Sequence, residues 1–446
     1  MVKIAFLGAG STIFAINLLG DCMCTPALCG AEIALYDIDA ERMKDSEIIL
    51  NALNGDINGG RATIKTYLGV ENRKKALEGA DFAVNAIQVG GYDPCTITDF
   101  EIPKKYGLRQ TIGDTLGIGG IMRALRTIPV MADFARDMEE VCPGVLFLNY
   151  TNPMPILTGY MQKYTGVTTV GLCHSIQECT ERLLNSLGME DKLPGRKELI
   201  AGINHMGWLL SIRDKDGTDL YPEIRKRALE KNKSQTHDDM VRFDYIEKFG
   251  YYCTESSEHN AEYNPFYIKS KYPDLISRFN IPLDEYPRRC LNQIENWNKQ
   301  RDSILEGGKI VRERSTEYAS YIMEAVFEDK PYQVGGNVLN DGGLIGNLPQ
   351  EACVEVPCLI NGHGVHPCQI GRIPPQLAAM NMTNINVHIL TTEAAATLKK
   401  EHIYHAAMLD PHTGSELPLD EIIKMVDELI LEHGQLGNGG WLPKYK

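Results

Sequence analysis

KIAFLGAGST, residues 3–12, sets a short apolar run against a turn built on Gly8 and Gly10. Strand, Gly-x-Gly, helix is the order of a dinucleotide-binding unit. Gly8 permits the tight turn, and Gly10 lets the backbone approach a pyrophosphate at the helix N-terminus. Ser11 and Thr12 would add hydroxyl donors, while Ile13 stands where the fingerprint has its third glycine. Asp37 closes the next apolar run, EIALYD (32–37), where a carboxylate accepts from an adenine-ribose diol and repels a 2′-phosphate. That favours NAD over NADP, with Arg42 near enough to leave NADP open. Gly-x-Gly alone also marks an ordinary strand-to-helix turn. Its place at the chain start, the strand before it and the spaced Asp37 favour the dinucleotide.

Outward from this unit, EIALYDID, DFAVNAIQV, VLFLNYTN and VTTVGLCH read as further strands, separated by amphipathic stretches such as GIMRALRTIPVMADFARDMEEV. This alternation predicts an α/β fold, a Rossmann-like doubly wound parallel sheet. DKLPGRK (191–197) carries Pro, Gly and charge and marks a boundary, which divides the chain into residues 1–195 and 196–446. In the second part GINHMGWLLSIRD and ACVEVPCLI read as strands and PLDEIIKMVDELILEHG (418–434) as a helix, so a mixed α+β domain is expected. The tail QLGNGGWLPKYK reads as loosely held.

The formal charge of −14 carries no compensating Lys/Arg-rich run, so nucleic acid and membrane are not expected partners. No signal peptide or bilayer-spanning run is visible. Twelve cysteines without a signal peptide read as reduced thiols, which points to the cytoplasm.

Two further strand ends carry chemistry. FLNYTNPM (147–154) presents Asn149, Thr151 and Asn152 where sheets of this kind face their ligand, and a polar helix cap is the equal alternative. GLCHSIQ (171–177) places Cys173 before His174, and GINHMGW (202–208) places His205 at the start of another apolar run. Cys173 and His205, converging from two strand ends, could bind a divalent metal with positions left for substrate oxygens. A buried structural Cys and a hydrogen-bonded His are as consistent with these residues. A Cys173/His174 nucleophilic dyad ranks lowest, because neighbours on a strand point to opposite faces.

GAGST, QVGGYDPCTITDFEIPKKYGL, TLGIGGIMRALRTIP, LNYTNPM, GLCHSIQ, GINHMGW and TESSEHNAEYNPF together resemble the NAD-dependent family 4 glycoside hydrolases along essentially the whole chain. The resemblance implies a lactate/malate dehydrogenase-like fold. Cys-His-Ser-Ile (173–176) is similar to the α-galactosidases of that family, the melibiose-hydrolysing kind. Thr96 stands where phosphate-binding members place an Arg, which implies an unphosphorylated α-galactoside of the melibiose or raffinose type.

The implied reaction oxidises C3 of the galactosyl ring with NAD, eliminates across C1–C2, adds water and re-reduces the ketone, a net hydrolysis that consumes no NAD. It further implies Mn2+ held by Cys173 and His205, although a thiolate suits Zn2+ better by coordination chemistry alone. Tyr263 is the implied base at C2, with Glu258 and His259 as alternatives. His174 is either the leaving-group acid or a partner of a sugar hydroxyl. Asn149 would meet the nicotinamide ribose or the sugar, Asn152 the sugar, and Arg289 or Arg288 would orient substrate. A homodimer or homotetramer is implied. The alternatives are another family 4 glycosidase (α-glucosidase, α-glucuronidase or α-galacturonidase), a 2-hydroxyacid dehydrogenase, or a non-catalytic NAD-binding sensor.

Overall fold

β1 (Lys3–Leu7) pairs in parallel with β2 (Glu32–Asp37) on one side and β4 (Phe82–Asn85) on the other. Its side chains alternate between two apolar layers: Ile4 and Phe6 enter one core cluster, Ala5 and Leu7 the other. Helices cover both faces, which is why the run is hydrophobic without alternation. The computed structural model describes residues 1–305, 312–435 and 440–446.

With β3 (Thr63–Leu68), β5 (Leu146–Asn149) and β6 (Thr169–Gly171), the parallel half has the order β3-β2-β1-β4-β5-β6, the order of a dinucleotide-binding sheet. β7 (Lys197–Ile203), β8 (Met206–Arg213), β9 (Tyr332–Leu339), β10 (Cys353–Asn361) and β11 (Gly364–Pro367) are antiparallel and extend the same sheet: β9 joins β6, then come β10, β7 and β8, with β11 on β10. The sheet is therefore continuous across residue 195. One core cluster contains Phe6 and Leu35 as well as Trp208 and Val356. Among the described residues no helix is long and apolar enough to cross a membrane.

Two sequence expectations need correction. GINHMGWLLSIRD is not one strand: the chain reverses at Asn204-His205, with His205 left-handed at φ 62°, and Ile203 pairs with Met206 across the hairpin. Both strands are buried and largely apolar on either side of Asn204-His205, so periodicity did not mark the reversal. The described part of the tail is also held. Trp441 N–H donates to the His433 carbonyl and Lys446 N–H to the Leu398 carbonyl, each at 2.8 Å, and Leu442 and Tyr445 pack on the helical core cluster. Residues 436–439 of that stretch lie outside the described residues.

Candidate active site

The carboxyl ends of the parallel strands form one rim of the site. Gly8 has φ +90°, and a Cβ there would fall 2.9 Å from the Ala86 carbonyl. A Cβ on Gly10 would lie 2.9 Å from Asp37 Oδ2, whose carboxylate accepts from the Gly10 N–H at 2.6 Å. Asp37 Oδ1 also accepts from Ile38 and Asp39 N–H, which fixes the carboxylate beside the turn. The helix Thr12–Cys24 begins at Ser11 with no side-chain cap, so no side chain occupies the place an anion would take at its N-terminus. The Thr12 side chain lies outside the described residues. Asn149 is fully buried, accepting from Asn85 at 2.9 Å and donating to Thr158 Oγ1 at 3.1 Å. Asn152 sits nearer the surface, and its Oδ1 is buried with no partner among the described residues.

β6 ends two residues before Cys173, and the β7–β8 hairpin delivers His205. Their side chains meet, with Cys173 Sγ 3.3 Å from His205 Nε2. Glu255 completes the group: one ligand atom from each of Cys173, His205 and Glu255 lies within 4.8 Å of the other two. Both His205 and Glu255 are non-glycine residues at positive φ, 62° and 64°. Strain of this kind, of about 1–3 kcal/mol per residue, persists where surrounding contacts impose it, often at functional sites.

Charge explains the titration of the cluster. Burial works against a charged His205, but the Cys173 sulfur, Glu255 and Glu355 raise its pKa to about 9. Burial also opposes ionised Glu255, yet His259, His205 and Arg242 bring it down to about 2. A thiol, an imidazole and a carboxylate this close, with negative charge to stabilise a cation, are a donor set for a divalent metal.

Tyr263 packs edge-on to His205, ring centroids 6.5 Å apart. It is fully buried, and neither its hydroxyl nor that of Thr115 has a hydrogen-bond partner among the described residues. Burial raises the phenol well above its usual pKa, the neighbouring Thr115 hydroxyl offsets part of that, and the charges of Asp114, Glu255 and Cys173 add to it. Glu262, one residue earlier, accepts from the backbone N–H groups of Thr111, Ile112 and Gly113, tying the loop with Asp114 and Thr115 to the Tyr263 helix. Asp114 is paired with Arg123 at 3.2 Å, and Arg123 also donates to Tyr286 Oη at 2.8 Å.

The neighbouring charges divide differently from the sequence order. His259 contacts Ser256 Oγ at 2.7 Å and lies 3.5 Å from Glu255, whereas Glu258 turns away to bind Arg289. Arg289 is further held by Glu285 at 2.9 Å, and Arg288 is an exposed partner of Glu285. Thr96 is buried, its hydroxyl donating to the Gly91 carbonyl at 3.0 Å.

His174 opens the helix His174–Ser186 on the other side of Cys173. Its Nε2 bonds Glu317, a buried carboxylate that also accepts from Tyr150 Oη at 2.5 Å. Phe14, Tyr150 and Tyr318 surround the imidazole with ring centroids 6.0–6.4 Å away. Burial alone would lower the His174 pKa, but Glu317 raises it above its ordinary value, which keeps the ring a proton donor nearer neutral pH.

Sequence reasoning missed Glu255, Glu317, Asp114 and Arg123. For Glu255 a signal was present: Glu255 and His259 are four residues apart in ESSEH, the spacing at which side chains meet on a helix. Glu317 lies 143 residues from His174 and had no local signal.

Comparison with known proteins gives the arrangement a lineage. The model of "Family 4 glycosyl hydrolase" matches residues 3–189, and that of "Family 4 glycosyl hydrolase C-terminal domain" matches residues 200–413. The chain is 58% identical over 446 residues to an α-galactosidase of Bacillus subtilis (strain 168), covering 100% of both chains. It is 34% identical to an α-galactosidase of Rhizobium meliloti (strain 1021), over 99% of this chain and 89% of that one. Among solved structures, a 6-phospho-α-glucosidase from gut microorganisms in complex with NAD and Mn2+ matches with TM-score 0.81 and 20% identity, covering all of both chains, and shares the fold. With a relative this similar along its whole length, the chain belongs to family 4 of the glycosyl hydrolases.

Proposed function

We propose that the protein is an α-galactosidase acting on unphosphorylated α-galactosides, with NAD and a divalent cation, Mn2+, as cofactors. The observation that carries this is the meeting of Cys173, His205 and Glu255 beside the unpartnered Tyr263 hydroxyl. The sugar class is supported by the end-to-end identity with the Bacillus α-galactosidase, and the cofactors by those bound in the solved relative. Thr96, buried and neutral, offers no cation to a sugar phosphate.

The residues present fit both cofactors. The Gly8–Gly10 turn and the uncapped helix N-terminus suit a pyrophosphate, and Asp37 a ribose diol. Cys173, His205 and Glu255 would hold the cation by three donors and leave positions for sugar oxygens. When bound, NAD supplies reversible hydride acceptance at a sugar carbon and the cation polarises the neighbouring sugar oxygens.

Tyr263 is the base for the acidified proton on carbon 2. Two of the three charges that disfavour its phenolate, Glu255 and Cys173, are those a dication would offset. His174, held by Glu317, donates the proton to the departing glycosidic oxygen. Asn152 and Arg289 bind sugar hydroxyls. We assign residues 1–195 to the dinucleotide-binding domain and 196–446 to the substrate, metal and oligomerisation domain, with a homodimer or homotetramer in the cytoplasm. Light scattering checks the assembly.

The direct test is a chromogenic α-galactoside incubated with NAD+, Mn2+ and a thiol. Hydrolysis should need both cofactors and leave no net NADH. Steady NADH formation from a 2-hydroxyacid would support a dehydrogenase instead.

His205 must lose its proton to ligate a metal, and its pKa of about 9 means that it carries one at neutral pH. Mn2+ affinity should therefore rise by about tenfold per pH unit between pH 6 and 8 and level off above about 9. A flat profile in a Mn2+ titration over that range would sink the argument. Glu317→Gln should lower kcat on melibiose, whose leaving group needs protonation, by about 10²-fold. The loss should be smaller on a nitrophenyl galactoside, and equal losses on both would remove the acid role of His174.

A further inference from the structure

Where β6, β9, β10 and the β7–β8 hairpin meet, the sheet is in register along one row: Gly171 pairs with Asn337, Asn337 with Glu355, Glu355 with Gly202, and Gly202 with Gly207. Residues paired across strands share a face, so the row brings Asn337 and Glu355 side by side with three glycines around them. A Cβ on Gly171 would fall 2.9 Å from Asn337 Cβ, and one on Gly207 would fall 3.2 Å from Glu355 Oε2. Gly207 thus leaves room for the Glu355 carboxylate, which is fully buried, and Gly171 for Asn337.

Glu355 has no Lys or Arg partner among the described residues. Its Oε1 accepts from Asn337 Nδ2 at 3.0 Å and from Asn204 Nδ2 at 3.2 Å, both fully buried amides. Asn337 Nδ2 also reaches the Gly171 carbonyl at 3.3 Å. Asn204 precedes His205 at the left-handed hairpin turn, and Gly171 ends the strand that leads to Cys173. One oxygen atom thus ties together the two segments that carry Cys173 and His205. A buried carboxylate with no Lys or Arg beside it is costly, and core packing alone would be served by an apolar residue.

We propose that Glu355 is a positioning residue for the metal centre, setting the separation of Cys173 and His205 through Asn337 and Asn204. This rests on the reading of Cys173 and His205 as metal ligands. Partners that orient ligands from behind typically change metal affinity by about 10- to 100-fold when removed.

The experiment titrates Mn2+ into the full-length protein and reads free Mn2+ by electron paramagnetic resonance, with NAD+ affinity and thermal midpoint measured in parallel. Glu355→Met keeps the length and removes the acceptor; it should weaken Mn2+ binding about 10- to 100-fold at unchanged NAD+ affinity. Glu355→Gln keeps an oxygen that can accept both amide hydrogens and should largely restore binding. That rescue separates positioning from charge and from bulk packing.

If Glu355→Met does not fold, Asn337→Ala, which cuts only the link to the Cys173 strand, should still weaken Mn2+ binding by about tenfold. Parent-like Mn2+ affinity in folded Glu355→Met or in Asn337→Ala overturns the proposal, as do equal losses in the Gln and Met variants. A parent protein whose Mn2+ binding is absent, or survives His205→Ala, overturns the metal-centre reading itself and this proposal with it.

Discussion

Tyr263→Phe should lower kcat for α-galactoside hydrolysis by about 10²–10⁴-fold, the range for loss of a positioned acid or base. The fold should survive, because the Tyr263 hydroxyl is buried without a hydrogen-bond partner among the described residues, and Phe fills the same volume. The ring still packs against His205, so Mn2+ and NAD+ affinities should stay near those of the parent. What disappears is the acceptor for the carbon-2 proton. Kinetics with Mn2+ and NAD+ both saturating, beside a thermal melt, checks this. A stable Tyr263→Phe with parent-like kcat would move the base elsewhere, first to His259, which touches Glu255 and packs on His205 with ring centroids 5.0 Å apart.

Cys173→Ser is expected to have the second large effect. It exchanges a polarisable thiolate donor for a neutral hydroxyl that ionises far less readily. Two donors, His205 and Glu255, remain in the cluster. Mn2+ affinity should fall by at least about 10²-fold, beyond what loss of an outer partner costs. Activity should recover in part at high Mn2+ concentration, whereas NAD+ affinity should not change. Cys173 is only half-buried, so its thiol is accessible to oxidants. Peroxide treatment should reproduce the metal defect in the parent and leave Cys173→Ser unaffected. Full activity of Cys173→Ser without excess Mn2+ would remove the thiolate from the metal site.

The parts legible in the sequence are those where local chemistry dictates structure. Gly8 and Gly10 announced the first turn because no side chain fits there, and the buried parallel strands announced themselves as apolar runs. β3 was not read, because TIKTYL is a largely exposed edge strand with polar residues on both sides. β9 was not read either: YQVGGNVL carries Gly335 and Gly336, which weaken a strand signal, and a Cβ on Gly335 would strike Ile176 at 2.4 Å.

The site divides the same way. Cys173 and His205 stood at the edges of apolar runs and could be suspected as a pair. Their contact, however, depends on a hairpin turn with His205 at positive φ, a conformation that side-chain pattern does not encode. Glu317 and Glu355 act over long sequence separations, and only the folded chain brings them to His174 and Asn204.

Removal of the carbon-2 proton, rather than direct displacement at carbon 1, leaves its own mark on the product. Hydrolysis of an α-galactoside in D2O with NAD+ and Mn2+, followed by mass spectrometry and NMR of the released galactose, tests it most directly. Deuterium should appear at carbon 2 of the product, and no reaction should occur once NAD+ is removed. Galactose with hydrogen retained at carbon 2, formed equally well without NAD+, would contradict carbon-2 proton removal.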